Sequence, residues 1–425
     1  MRHDVVRDVA LSPAERHRLN RLMVFFALVY VVEGLGQTGG LIAQPLNYFL
    51  KETYGWTPVQ VTAYLTVLNF PWIIKPVYGI VSDFVPLFGY RRKAYLVLAN
   101  GAAAAAYLWV AGLTAPGEIV LGLLLTAYAM AASSTLSGAV LVENGQRLGA
   151  SDTFVNQEWL WFNIAAVASA LLGGVLVEYL SPTGALHAAA LIVGIAPLLA
   201  VFGSLFLIDE ERSHADLAQL KATFQALLAT FRRRELWLVG GFLFLYNFNP
   251  GFGTPLYYYM TDELRFSQQF IGILGAVSSA GWIAGALLYR WRLRGMTSQA
   301  LLYLSIACGT AATLLFLLLA DPVAAVIVNF MAGIAGMIGM VASLTLAADF
   351  CPEGSEGFTF AALASITNLA AALSDNVGSL LFEHVFAGRL APLILASAAG
   401  TAIAAPFVPL LRLGGKRHGE AQQRA

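Results

Sequence analysis

Residues 71–83 read Pro71-Trp72-Ile73-Ile74-Lys75-Pro76-Val77-Tyr78-Gly79-Ile80-Val81-Ser82-Asp83, and residues 86–93 continue with Pro86-Leu87-Phe88-Gly89-Tyr90-Arg91-Arg92-Lys93. The first segment predicts an apolar helix that carries a lysine in its interior and ends on Ser-Asp. The second turns through glycine into three adjacent cations, which is typical of the place where a membrane span meets the cytoplasm. We therefore expect a membrane boundary here, where Asp83 caps or pairs at the helix end and the cations hold the turn on the positive side.

The composition agrees with a membrane protein. Of the 425 residues, 58% are hydrophobic and 12% are charged, and the mean hydropathy is +0.69. A water-soluble domain of this length has too little interior to hide so much apolar surface. The formal net charge is zero, so charge gives no reason to expect a nucleic-acid partner.

Twelve segments are long enough to cross a bilayer, which takes ~20 apolar residues. They predict an all-α polytopic membrane protein, with spans at residues 22–46, 58–82, 94–114, 118–141, 153–178, 186–208, 235–260, 267–289, 298–319, 322–348, 356–383 and 390–411.

The cations predict the orientation. If the N-terminus is inside, all but four of the 25 Lys and Arg fall in or beside cytoplasmic segments, the exceptions being Lys51, Arg265, Arg389 and the intramembrane Lys75. This bias predicts cytoplasmic N- and C-termini in a bacterial-type inner (plasma) membrane. Residues 1–21 have no short apolar core ahead of a cleavage site, so we expect no removable signal peptide.

The two halves of the chain are alike. Pro45-Leu46-Asn47-Tyr48 and Thr57-Pro58-Val59-Gln60 recur as Pro255-Leu256-Tyr257-Tyr258 and Ser267-Gln268-Gln269, with one shift of 210 positions. Such repeats predict two pseudo-symmetric six-helix bundles around a cavity near the membrane midplane. The predicted domains are a cytoplasmic tail (1–21), an N-terminal bundle (22–208), a cytoplasmic linker with an amphipathic helix (209–234), a C-terminal bundle (235–412) and a second cytoplasmic tail (413–425).

Two motifs carry a resemblance to a known family. Gly79-x-x-x-Asp83 followed by Gly89-x-Arg91-Arg92 resembles the loop signature of the major facilitator superfamily, stretched by a few residues. The longer run from Lys75 to Arg92, together with Cys351-Pro352-x-Gly354-x-Glu356, is similar to the folate-biopterin transporter branch. The resemblance covers residues 22–412. It implies the major facilitator fold and transport of folates or pterins driven by a proton gradient.

The chain departs from that branch in span four. Members of the branch commonly carry two aspartates four residues apart there, and alignment on Glu143 places Ser134 and Gly138 at those positions. If the aspartates bind the pterin ring in the relatives, this chain has a different substrate. The resemblance therefore supports the mechanism better than the cargo.

Ionisable residues inside a membrane span are candidates for function because burying a charge there costs several kcal/mol. Glu33 lies in span one with Gln37 one turn later, among glycines that allow the helix to bend. Glu33 is either a carboxylate that couples proton movement to transport, or the partner of Lys75 in a static ion pair, or a polar packing contact. Lys75 either receives the carboxylate of an anionic substrate or serves a structural pairing with Glu33 or Glu158.

Span seven is interrupted by two prolines and two glycines in Asn249-Pro250-Gly251-Phe252-Gly253-Thr254-Pro255. Transporters place binding groups at such breaks. Asn247 and Asn249 are the candidate hydrogen-bonding residues, and we expect Asn249 and Glu33 to face one cavity from opposite halves. The alternative is a purely structural kink.

Spans five and eleven carry the remaining binding candidates. Glu158 and Trp161 are three residues apart, and Trp159 and Asn163 are four apart. A flat aromatic ligand could therefore stack on one of the tryptophans while an amide or acid binds its edge; the alternative is an interfacial tryptophan belt. Asn368 and Asp375 are seven residues apart and share a helix face. Asp375 is a coupling carboxylate, a binding group, or an acid satisfied by Ser374 and Asn376.

Charged residues at the cytoplasmic ends of the spans predict a gate. Glu143 and Asp349, at the ends of spans four and ten, are expected to pair with Arg91, Arg92 or other loop cations and to separate as the inner face opens, with Asp83 in the same cluster.

The sequence has no constellation for metal binding, nucleophilic catalysis or phosphate binding, so we predict neither an enzyme nor a cofactor. The predicted function is secondary active transport, as a monomeric proton-coupled symporter of a small polar organic solute that is pterin- or folate-like. The alternatives are an exporter or facilitator of another small molecule, and a non-transporting membrane sensor or assembly factor.

Overall fold

The computed structural model describes residues 12–213, 234–350 and 356–411, and its regular secondary structure within them is entirely helical. The N-terminal half contains α1 (Pro13–Gly36), α2 (Ala43–Tyr54), α3 (Pro58–Ile73), α4 (Lys75–Phe84), α5 (Lys93–Val110), α6 (Pro116–Leu148), α7 (Ser151–Tyr179) and α8 (Pro182–Phe206). The C-terminal half contains α9 (Arg234–Asn247), α10 (Gly253–Tyr258), α11 (Gln268–Leu288), α12 (Ser298–Leu315), α13 (Pro322–Asp349), α14 (Glu356–Leu380) and α15 (Leu390–Ile403).

These helices form the twelve predicted spans. Within the described ranges, nine are long and apolar enough to cross a membrane by length and composition. The other three spans are α5, the interrupted pair α9–α10, and α14. Most of the predicted linker and the whole C-terminal tail lie outside the described residues, so the predicted amphipathic helix is not described.

Helix boundaries repeat between the halves. In the first span α1 ends at Gly36 and α2 begins at Ala43; in the seventh, α9 ends at Asn247 and α10 begins at Gly253. The starts of α3 and α11, at Pro58 and Gln268, differ by the same 210 positions. The predicted pseudo-symmetry is confirmed by the positions at which the helices break.

Both breaks satisfy their backbone groups with neighbouring helices. In the last turn of α1, the carbonyl of Gly36 accepts from the Tyr107 hydroxyl (2.5 Å) and the carbonyl of Gly34 accepts from Ser169 (3.3 Å). After α9, the Gly251 N–H donates to the carbonyl of Ser374 (2.9 Å). A backbone interruption is tolerated at membrane depth only where protein or a cavity supplies such partners.

The first helix is longer than predicted. It begins at Pro13, whereas the hydropathy of the sequence placed the first span at residue 22. Ser12 and Glu15 form a capping box, and Pro13 occupies the first helical position. Arg21 on the early turns of the helix pairs with Asp209 (2.7 Å), so polar contacts continue the helix beyond its apolar part.

Each half has its own apolar core. Two clusters of buried side chains lie in the N-terminal half, one around Phe26 and Phe154 and one around Tyr107 and Leu186. Two further clusters lie in the C-terminal half. The halves therefore bury most of their apolar side chains separately.

The two faces of the molecule differ. We call the face where α1 begins and α15 leads to Leu411 the terminal face, and the opposite face the distal face. Hydrogen bonds between the halves concentrate toward the distal face, where Gln44 donates to the carbonyl of Gln268 (2.8 Å), Lys51 to Thr261 (2.9 Å) and Tyr258 to the carbonyl of Trp56 (2.5 Å). The α7 and α11 backbones also touch there at Gly174 and Gly272. The halves are thus joined at the distal end.

Candidate functional site

A central cavity of about 890 Å³ lies between the two halves. Its lining extends from mid-depth toward the terminal face, as far as Val155 in the second turn of α7. The predicted candidates that line it are Glu33, Gln37, Lys75, Glu158, Asn368 and Asp375.

Lys75 lines this cavity at the start of α4, directly after a break in its helix. Pro76 lacks an N–H that could donate to the carbonyl of Trp72, and the helix is interrupted at Ile74, between α3 and α4. The ammonium of Lys75 lies over the ring of Trp72, 4.6 Å from its centroid. This cation–π contact stabilises the charge on a wall of the cavity.

Glu33 and Lys75 are joined through Ser134. The Ser134 hydroxyl donates to Glu33 Oε1 (2.7 Å) and accepts from Lys75 Nζ (3.1 Å). The second carboxylate oxygen of Glu33 is enclosed and has no hydrogen-bond partner among the described residues. The sequence allowed a direct ion pair between Glu33 and Lys75, and the structure does not contain it. The Ser134 hydroxyl instead connects the Glu33 carboxylate to the Lys75 ammonium.

Two further polar groups adjoin this cluster. Glu158 on α7 lines the same cavity and lies near both Glu33 and Lys75. The Tyr30 hydroxyl is buried beside the Glu158 carboxyl group. The cluster thus places the carboxyl groups of Glu33 and Glu158 around the ammonium of Lys75, and the Tyr30 hydroxyl lies beside them.

Of the two tryptophans considered in span five, Trp159 faces the central cavity and the site candidate Trp161 does not. Trp159 lines the central cavity, whereas Trp161 donates its indole N–H to Gln157 (2.6 Å) and packs against the core around Phe26. Sequence spacing offers no criterion for choosing Trp159, because the rotation of α7 about its axis decides which side chain faces inward.

A second cavity of about 580 Å³ lies within the C-terminal half. Asn247 and Asn249 line it, and the Ser397 hydroxyl donates to Asn249 Oδ1 (3.4 Å). Asn249 and Glu33 therefore do not share one cavity, contrary to the expectation from the repeat. The break between α9 and α10 turns Asn249 into its own bundle, where α15 packs against it at Gly400.

Asp375 projects into the central cavity without the predicted local partners. Ser374 donates to the carbonyl of Asn249, and Asn376 donates to Thr66 (2.5 Å) and to the carbonyl of Ala372 (2.7 Å). The Asp375 carboxylate lies against Gly251, where a side chain would collide with it. Because Gly251 has no side chain, the Asp375 carboxylate has room beside the break.

Asn368 lines both cavities, and its amide donates to the carbonyl of Trp72 across the two halves (3.0 Å). It therefore marks the point where the two cavities adjoin.

At the terminal face, Arg92 gathers the predicted gate acids. Its guanidinium contacts Asp83 (2.5 Å) and Glu143 (2.8 Å) and donates to Ser82. Burial alone would lower the pKa of Arg92, but the charges of Glu143 and Asp83 outweigh burial and raise it.

The other predicted gate residues are placed differently. The Nε of Arg91 is buried with no hydrogen-bond partner in the described ranges, and Asp349 accepts a hydrogen bond from Ser298. A residue not singled out in the sequence, Glu210, accepts from the backbone N–H groups of Arg91 (2.7 Å), Arg92 (3.0 Å) and Lys93 (2.7 Å). Its carboxylate caps the start of α5. Glu210 is the middle one of three consecutive acidic residues in a loop, and nothing in the sequence distinguishes it from its neighbours as a helix cap.

The described ranges contain no group of three His, Cys, Asp or Glu side chains able to hold a metal ion. Two helical halves, joined at one face around a cavity lined by charges, define a membrane transporter.

Known proteins agree with this class. The model of the BT1 family matches residues 35–411, and the chain belongs to this family. The folate-biopterin transporter of Synechocystis sp. (strain PCC 6803) is 31% identical over 413 residues, covering 91% of this chain and 81% of its own. Folate transporter 1 of Plasmodium falciparum is 26% identical over 356 residues, covering 79% and 68%.

Solved structures share the fold. The nucleoside transporter NupG superposes with a TM-score of 0.66 at 15% identity, covering 93% of this chain and 99% of NupG. The D-xylose-proton symporter superposes with a TM-score of 0.66 at 13% identity, covering 94% and 98%. The fold is that of the major facilitator proteins, and the chain is a transporter, as its family is, and not an enzyme.

Proposed function

We propose that this transporter moves an anionic pterin- or folate-like solute by alternating access and couples the movement to protons. The relatives named for folate and biopterin support the cargo. The observation that carries the coupling is the connection of Glu33 to Lys75 through the hydroxyl of Ser134 in the central cavity. The site residues are Glu33, Gln37, Lys75, Glu158, Asn368 and Asp375 in that cavity and Asn247 and Asn249 beside it.

The proposed cycle uses competition for one ammonium. An anionic group of the solute approaches Lys75 from the cavity and displaces the Ser134 hydroxyl. Glu33 then loses the cation that favours its charged form, and it takes up a proton because a buried carboxylate without a cationic neighbour is costly. Solute and proton thus load together, as symport requires.

The proposed orientation places the terminal face in the cytoplasm. Arg92 and Lys93 lie there, and a bias of cations toward the cytoplasmic side is general in membrane proteins. With this orientation, the cross-half hydrogen bonds at the distal face correspond to a closed outer side. The bundles of residues 22–208 and 235–412 rock about the central cavity, and the monomer is the working unit in the inner membrane.

Counterflow in proteoliposomes tests the proposed cargo. Vesicles preloaded with unlabelled folate or biopterin should accumulate the labelled compound transiently. An inwardly directed proton gradient, with the acidic side outside, should increase net uptake. Exchange of neither compound would reject the cargo, and exchange that ignores the gradient would reject the coupling. In the second case the chain would be a facilitator.

A further inference from the structure

The second cavity differs chemically from the central cavity. Among the described residues, its lining contains no Asp, Glu, Lys, Arg or His side chain, whereas the central cavity holds Glu33, Lys75, Glu158 and Asp375. Two compartments of opposite character therefore lie side by side.

The lining of the second cavity combines aromatic rings with amides and hydroxyls. Phe252 and Phe316 form an edge-to-face pair at 5.1 Å on one wall. Polar side chains line the rest, among them Asn247, Asn249, Thr313, Ser343, Thr367 and Ser397. The Asn247 amide and the Thr367 hydroxyl each donate to a carbonyl of their own helix, which leaves their oxygen atoms as acceptors. Aromatic walls with a few placed polar groups are typical of sites for uncharged ring ligands.

The two cavities share part of their walls. Trp282, Met340, Leu344 and Asn368 line both. Gly336 makes room for the Trp282 indole, since a Cβ there would lie 3.1 Å from the ring. A ligand extended past Trp282 would touch both compartments.

We infer that the second cavity is a separate subsite for an uncharged heteroaromatic ring, while the acidic part of the same solute stays in the central cavity on Lys75. This inference rests on the proposed function and names how the solute is divided. A carboxylate is excluded from the second cavity because it would lose water there and find no cation among the residues that line it. A ring with hydrogen-bonding edges is favoured because the amides pair with it and the aromatic walls cover its faces.

The division predicts which part of the solute each compartment reads. Folate and biopterin share the pterin ring, but only folate carries a charged tail, since the side chain of biopterin is an uncharged dihydroxypropyl group. One ring subsite beside a separate cationic site therefore accepts both compounds, and loss of either compartment weakens only part of the solute's binding.

The test measures binding of two probes to purified protein by calorimetry. One probe is 6-methylpterin, an uncharged ring; the other is p-aminobenzoylglutamate, an acidic tail. Ser343→Leu fills the second cavity, Asn249→Ala removes a polar group from it, and Lys75→Met removes the cation. Ala311→Leu, on the exposed face of α12, is the matched control for added bulk. Thermal unfolding establishes that each variant is folded.

We expect Ser343→Leu and Asn249→Ala to weaken the ring probe about tenfold and to leave the tail probe unchanged, as loss of a shaped or paired contact does. Lys75→Met should weaken the tail probe by a similar factor and the ring probe much less. Ring binding that both second-cavity variants leave intact, in a wild type that binds it, would overturn the subsite and leave the proposed function standing. Absence of binding of either probe to the wild type would reject the proposed function itself.

Discussion

Glu33 and Lys75 meet at a single hydroxyl, because Ser134 donates to the carboxylate and accepts from the ammonium. The three residues come from α1, α4 and α6 of the N-terminal half. The hydroxyl keeps acid and base connected without a direct contact, so a solute can break the connection by displacing one hydrogen bond.

Ser134→Ala should uncouple acid from base. Removal of a hydrogen bond to a charged group costs about 1.5–3 kcal/mol, so we expect a fall of roughly 10- to 150-fold in proton-driven uptake. Ser133→Ala is the control because Ser133 accepts instead from Asn100 (2.9 Å), away from the cluster. Equal losses of driven uptake in the two variants would show that only packing was disturbed.

Glu210→Gln should weaken the turn between α4 and α5. The Glu210 carboxylate accepts hydrogen bonds from three consecutive N–H groups at the start of α5. The glutamine side chain has no negative charge and only one oxygen to accept them. We expect a loss of about 1 kcal/mol, read as a lower melting temperature. Glu211→Gln, at the adjacent exposed residue, should leave the melting temperature unchanged. A melting temperature unaffected by Glu210→Gln would argue against the cap.

Gly174→Ala should weaken the contact between the two halves at the distal face. A methyl there would lie 2.9 Å from Gly272 Cα and 3.0 Å from the carbonyl of Gln268, so α7 and α11 must separate. Alkylation of Ala166→Cys from the distal side, with Cys308 and Cys351 replaced by serine, should become faster. Gly241→Ala, which has no neighbouring atom within 4 Å among the described residues, is the control. Unchanged labelling would contradict closure through this contact.

Much of the fold could be predicted because local chemistry determines it. The breaks in the first and seventh spans follow from glycine and proline, which interrupt a helix wherever it packs. Their 210-residue separation was visible in the sequence because the residues around each break, Pro45-Leu46 and Pro255-Leu256, are themselves repeated.

The site could be predicted less well because the rotation of each helix determines it. Successive residues of a helix differ by about 100° in direction. The face of α7 that lines the central cavity includes Glu158 and Trp159. Trp161 lies on another face of the helix and packs in the apolar core. Ser134 carried no signal beyond its place in the family alignment, since many serines in membrane helices bond only to their own backbone.

Uptake driven by a pH gradient, compared between the wild type and Glu33→Gln in proteoliposomes, tests the coupling most directly. The groups that face Glu33 are Lys75, Ser134, Glu158 and Tyr30, so an amide at this position removes the acid and leaves its neighbours. We predict that Glu33→Gln abolishes the gradient-driven part of folate uptake and retains counterflow. Uptake that the gradient still drives in Glu33→Gln, at the wild-type level, would contradict the account.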